Sequence, residues 1–105
     1  MITLLYVTAS SIEEAQKISE TLLSEKLIAC ANIFPNMISI YNWENKLEKN
    51  EEVVVILKSS ISLVPQIEER IKILHSYKVP CVISINPNSV SKEYKSWLLD
   101  ALKPV

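Results

Sequence analysis

Glycine occurs nowhere in the chain. Every reversal must therefore be made without the residue that most easily takes a positive φ, and the seven asparagines are the natural substitutes. Asn42, Asn45 and Asn50 cluster where a hairpin turn is needed. Cysteine is scarce: Cys30 and Cys81 are far apart and in no CxxC pairing. That argues against a disulfide framework or a zinc knuckle and predicts two buried thiols. There is one histidine, His75, and one arginine, Arg70. With so few, no serine or cysteine has a base assignable from spacing, and no arginine clamp for phosphoryl chemistry stands in a loop, because Arg70 falls inside a helical pattern. No catalytic signature is present, and the chain reads as a non-enzyme.

Excess charge is also missing. Eleven basic residues stand against twelve acidic ones, which gives no electrostatic reason to seek nucleic acid or an anionic membrane. No run approaches the 18 apolar residues of a membrane span, and "MITLLYVTAS" lacks the basic region of a secretory signal. A cytoplasmic protein is expected. What is abundant is apolar residues, at 49%, so one domain over residues 1–105 can bury a core.

Residues 2–9, "ITLLYVTA", suit a strand covered on both faces. Ser11 and Glu14 have capping-box spacing, and Ile12, Ala15, Ile18 and Leu22 continue a helix to about residue 25. The run 27–34 and its continuation 37–43 predict one long strand with a bulge at Pro35 and Asn36. The polar stretch 44–50 predicts the reversal into a strand at 51–59. Ile61, Val64, Ile67, Ile71 and Leu74 predict a helix with Pro65 in its first turn, ending near His75. A strand at 81–85, a turn at 86–89 and a last helix through Tyr94, Trp97, Leu98, Ala101 and Leu102, stopped by Pro104, complete the order.

The order β-α-β-β-α-β-α is the α+β, ferredoxin-like split βαβ with an added C-terminal helix. Right-handed crossovers place both crossover helices on one sheet face and leave the other bare. Yet "LLYV", "VVVIL" and "CVI" are apolar at consecutive positions, so a homo-oligomer is expected to cover that face. RNA recognition on this topology needs aromatics on the third strand, where this chain has "VVVILK". The acidic pairs Glu13/Glu14, Glu51/Glu52 and Glu68/Glu69 read as solvated faces, Trp43 and Trp97 as packing residues, and Lys58 as a solvated strand end. His75 reads as a helix terminus or as a metal or small-ligand contact.

Five ordered blocks, "KLIACANI" (26–33), "YNWENKLE" (41–48), "EVVVILK" (52–58), "HSYKVPCVISI" (75–85) and "YKSWL" (94–98), resemble the CutA family of divalent-cation tolerance proteins. The resemblance spans nearly the whole chain. It implies a ferredoxin-like subunit, a tight homotrimer and an intersubunit cleft around Cys30, Asn32, Trp43, Lys58, His75, Tyr77, Pro80, Tyr94 and Trp97. The chain departs from the family at Lys26 (usually arginine), Asn45 (glycine), Ser76 (proline), Lys78 (glutamate) and Cys81 (glutamate). The copper set described for some members, a first-strand cysteine with adjacent histidines, is reduced here to Val7 and His75. With a thiol now at Cys81, His75 and Cys81 form the candidate metal pair, favouring weak binding of copper or another soft divalent ion, with no required cofactor. The competing expectations are a trimeric module resembling the nitrogen-regulatory PII proteins, with a small anion near Lys58 and Tyr77, and a ligand-free oligomeric scaffold.

Overall fold

The computed structural model describes residues 1–104, with elements β1 (Ile2–Ala9), α1 (Ile12–Ser24), β2 (Cys30–Trp43), β3 (Lys46–Ser60), α2 (Val64–Leu74), β4 (Val82–Ile85) and α3 (Lys92–Ala101). A single 3-10 turn, Ile61–Leu63, leads into α2, with Pro65 in the helix's opening positions, where a missing N–H costs nothing. The strands form one sheet in the order β2-β3-β1-β4, with every neighbouring pair antiparallel. That is the split βαβ arrangement expected from the element order.

Strand alternation sends Leu5, Val7 and Ala9 of β1 and Val53, Val55 and Leu57 of β3 to one face, where they are buried. Helical spacing brings Ala15, Ile18 and Leu22 of α1 and Ile67 and Ile71 of α2 onto the same face, closing the core. Each such branched side chain contributes about 1.5–3 kcal/mol by leaving water.

The opposite face carries Tyr6, Val54 and Ile56, with Ile83 and Ile85 of β4 about half exposed. It is not wholly bare, because α3 reaches it: the Tyr94 hydroxyl accepts from Lys58 Nζ at 3.2 Å, and the ammonium lies 5.3 Å from the ring centroid. Lys58 is thus tied to an aromatic ring rather than simply solvated.

The reversal at 44–50 is far shorter than its polarity suggests. Trp43 pairs with Lys46 and Tyr41 with Glu48, so Lys46–Asn50 is strand and the turn is Glu44-Asn45 alone. Both turn residues have positive φ, 50° and 65°, as a two-residue type I′ hairpin requires. Alternating charges in "KLEKN" solvate a ribbon that runs beyond the end of β1, where polarity reports exposure and not a loop. The bulge lies where Pro35 and Asn36 placed it, with the register shifting between Phe34 and Met37 and Asn36 at φ 65°.

Asparagine fills two of the four positive-φ positions; Lys26, after α1, and Glu44 fill the others. A side chain other than glycine, asparagine or aspartate in that region costs about 1 kcal/mol. Glu44→Asn is therefore expected to stabilise the protein by about 0.5–1 kcal/mol. Thermal melts of the two proteins at equal concentration check this; a lower midpoint for the variant would refute the assignment of the turn.

Candidate functional site

The family-type residues fall into separate groups on one subunit. At one end of β3, Lys58 pairs across the ladder with Cys30 and reaches Tyr94, whose ring lies 5.6 Å from that of Trp97. Asn32 is exposed on β2 opposite Ile56, and Trp43 stands at the ribbon tip, 63% exposed. Trp97 is 52% exposed, so neither tryptophan is a packing residue within one subunit.

The second group lies on the connection between α2 and β4. The Tyr77 hydroxyl donates to Glu52 Oε2 at 2.7 Å, and Ser39 Oγ donates to Glu52 Oε1 at 2.5 Å. Burial, with the charge on Glu52, pushes the Tyr77 phenol above its ordinary range, and the same two causes raise the Cys81 thiol. Glu52 lies six residues from Lys58 along β3, roughly 20 Å at the rise of an extended strand. Lys58 and Tyr77 therefore share no cleft within one chain, and the acidic partner of Tyr77 repels an anion there.

His75 caps the C-terminus of α2, as its position foretold, but its ring is committed elsewhere. Nε2 is 2.7 Å from the Thr8 carbonyl oxygen, so it carries the hydrogen and donates; Nδ1 accepts the Tyr77 amide at 3.0 Å. The ring is thus the neutral Nε2–H tautomer and has no free nitrogen for a metal. Coordination by His75 would break one of these bonds, and among the described residues no three of His, Cys, Asp or Glu gather as a ligand set. Cys30 and Cys81 are free and half-buried, rather than fully buried as their type suggested. Pro80, also half-buried, sets the chain direction into Cys81.

Glu68 and Glu69 are both exposed, as expected, but the other two acidic pairs divide in a way their adjacency concealed. Glu13 and Glu51 are exposed, whereas Glu14 and Glu52 are partly buried and bonded. Glu14 Oε1 accepts from the Ser10 amide at 2.9 Å and the Ser10 hydroxyl at 2.8 Å, while Oε2 accepts the Ser76 amide at 2.7 Å. Its own amide donates to Ser11 Oγ at 3.1 Å, completing the N-terminal cap that the spacing announced. The signal that separates these two pairs was present: Glu14 holds the capping position, and Glu52 shares strand parity with Val54 and Ile56.

Burial of Glu14 opposes ionisation, but its bonds from Ser10 and Ser76 outweigh this and bring its pKa from 4.5 to about 2. A depressed carboxylate stabilises the fold above its unfolded value, and that contribution fades as pH falls from 4.5 towards about 2. Across that window the wild type should lose stability more steeply than Glu14→Gln. Denaturant midpoints at stepped pH check this, and parallel curves would refute it. Arg70, the sole arginine, grips Glu25 with bonds of 2.8 and 2.7 Å, and the pair borders an open cavity of about 560 Å³ together with Leu27, Pro65, Gln66 and Glu69.

The chain is therefore an α+β protein of the ferredoxin-like, split βαβ class, without a metal cluster among the described residues. The profile of the CutA1 divalent ion tolerance protein family matches residues 3–101. The chain belongs to that family. The divalent-cation tolerance protein CutA of Pyrococcus horikoshii is 42% identical over 100 residues, 95% of this chain and 97% of that protein. Among solved structures, CutA1 from Ehrlichia chaffeensis superposes with a TM-score of 0.95 at 40% identity, covering 98% of this chain and 96% of that one. The protein described as the periplasmic divalent cation tolerance protein CutA of Archaeoglobus fulgidus gives 0.95 at 36% identity, covering 98% and 100%. Among the described residues no helix is long and apolar enough to cross a membrane.

Proposed function

We propose that this chain serves divalent-cation tolerance as a homotrimer with a binding role rather than a catalytic one, its working surface lying at the boundary between subunits. The observation that carries this reading is the division of the family-type residues between Lys58, Tyr94 and Trp97 near the C-terminal end of β3 and Tyr77, held at Glu52 in the middle of the same strand, with Pro80 beside it in the chain. Only a neighbouring copy can bring the two groups together. The exposed apolar residues of the ribbon, Ile38, Ile40 and Leu47, supply a reason for copies to associate.

Within that assembly, thiol-seeking ions such as zinc or copper(I) are held weakly through the thiols of Cys81 and Cys30, not through His75. Two free thiols are the state that a reducing cytoplasm maintains. The test is titration of copper(I) and zinc into the wild type, Cys81→Ser, Cys30→Ser and His75→Gln. Weaker binding in the cysteine variants, with His75→Gln unchanged, supports the reading; equal affinity in all four overturns it.

One observation favours a second reading, a module resembling PII proteins with a small anion near Lys58. Its ammonium touches a hydroxyl and a ring, and among the described residues no carboxylate pairs with it. Thermal-shift screening of metals against anionic metabolites separates the two. A shift with neither leaves an oligomeric scaffold.

A further inference from the structure

The segment from His75 to Cys81 is tied down through one ring. Nε2 donates to the Thr8 carbonyl of β1, Nδ1 accepts from the Tyr77 amide, and the side chain has no exposed surface. Glu14 Oε2 lies 3.8 Å from Nδ1 while holding the Ser76 amide. The Tyr77 ring stands 4.7 Å from the imidazole, and its hydroxyl reaches Glu52. The groups facing the ring are thus Glu14 from α1, Tyr77 from the loop with Glu52 of β3 behind it, and from β1 a backbone carbonyl.

We propose that His75 is a proton-operated latch on residues 76–80. A proton taken from solvent at Nδ1 turns the acceptor of the Tyr77 amide into a second donor, so that bond is lost. The new N–H faces Glu14, which stays ionised far into acid and is drawn towards the imidazolium, loosening its hold on Ser76. Two consecutive amides are released together, and the Tyr77 hydroxyl leaves Glu52. The Nε2–Thr8 bond is satisfied in both protonation states and serves as the hinge. Acid thereby opens the segment and uncovers Glu52 and Cys81. The latch is complete in one subunit and does not rest on the proposed metal or anion ligand.

The test is a pH titration of the isotope-labelled, assembled protein by NMR from about pH 8 to about pH 5, spanning the ordinary imidazole range near about 6.5. The ring nitrogens should report the Nε2–H tautomer at the upper end. As the ring protonates, the Ser76 and Tyr77 amides should exchange about tenfold faster with the same midpoint. Glu14→Gln should move that midpoint to lower pH. Tyr77→Phe, which removes only the bond to Glu52, should keep the amide response. The inference is overturned if the ring protonates with both amides unchanged, or if it stays neutral throughout. The same response in His75→Gln, which keeps a donor for Thr8 but cannot titrate, also overturns it.

Discussion

Light scattering of the purified protein is expected to give about three times the 11.9 kDa subunit mass, and Ile40→Asp to abolish that assembly. The ladder pairs Ile38 with Glu51, Ile40 with Lys49 and Asn42 with Leu47, so Ile38, Ile40 and Leu47 share one face of the ribbon. They are 62%, 58% and 69% exposed on a two-stranded extension that has no third strand beside it. An isolated ribbon of this kind is marginal in water, and three exposed apolar side chains on one face, set among Lys49, Glu51 and Asn42, call for a partner. Lys49 lies directly opposite, so the new carboxylate can pair across the ladder. Taking that charge out of water at such a contact still costs several kcal/mol per copy, enough for at least a hundredfold weaker association. A folded wild-type monomer at micromolar concentration would remove the assembly argument. An unchanged mass for Ile40→Asp would instead free this face of the ribbon from any contact.

His75→Ala should lower unfolding stability by about 3–4 kcal/mol. The truncation leaves a cavity beside β1 and strands the Thr8 carbonyl and the Tyr77 amide, each of which has the ring as partner. His75→Phe fills the space without the hydrogen bonds and should recover part of the loss, about 1–2 kcal/mol. Denaturant midpoints must be compared at one protein concentration, because the proposed association would contribute to apparent stability. Values for His75→Ala within about 0.5 kcal/mol of wild type would show that the ring is not a structural tie and would reopen it as a ligand.

These expectations draw on different levels of the sequence. The caps, the bulge at Pro35 and Asn36 and the strand parity of Glu52 are local, and each could be read from residue type and spacing. The length of β3 could not, because alternating charge in "KLEKN" looks the same in a loop and in an exposed strand. Only pairing with Ile40, Tyr41 and Asn42 distinguishes them.

By itself the sequence determined the order of elements, the split βαβ topology and the family, because hydrophobic periodicity and blocks of side chains are properties of neighbouring residues. It also marked His75 as the end of α2. Only the tertiary structure decided what His75 does, since its partner Thr8 lies 67 residues away and belongs to another element. The same holds for the partition of the candidate cleft. Lys58 and Tyr77 look like companions in a motif list, but β3 carries Lys58 towards α3 and Glu52 towards Tyr77, and six residues of extended strand, roughly 20 Å, keep the two positions apart.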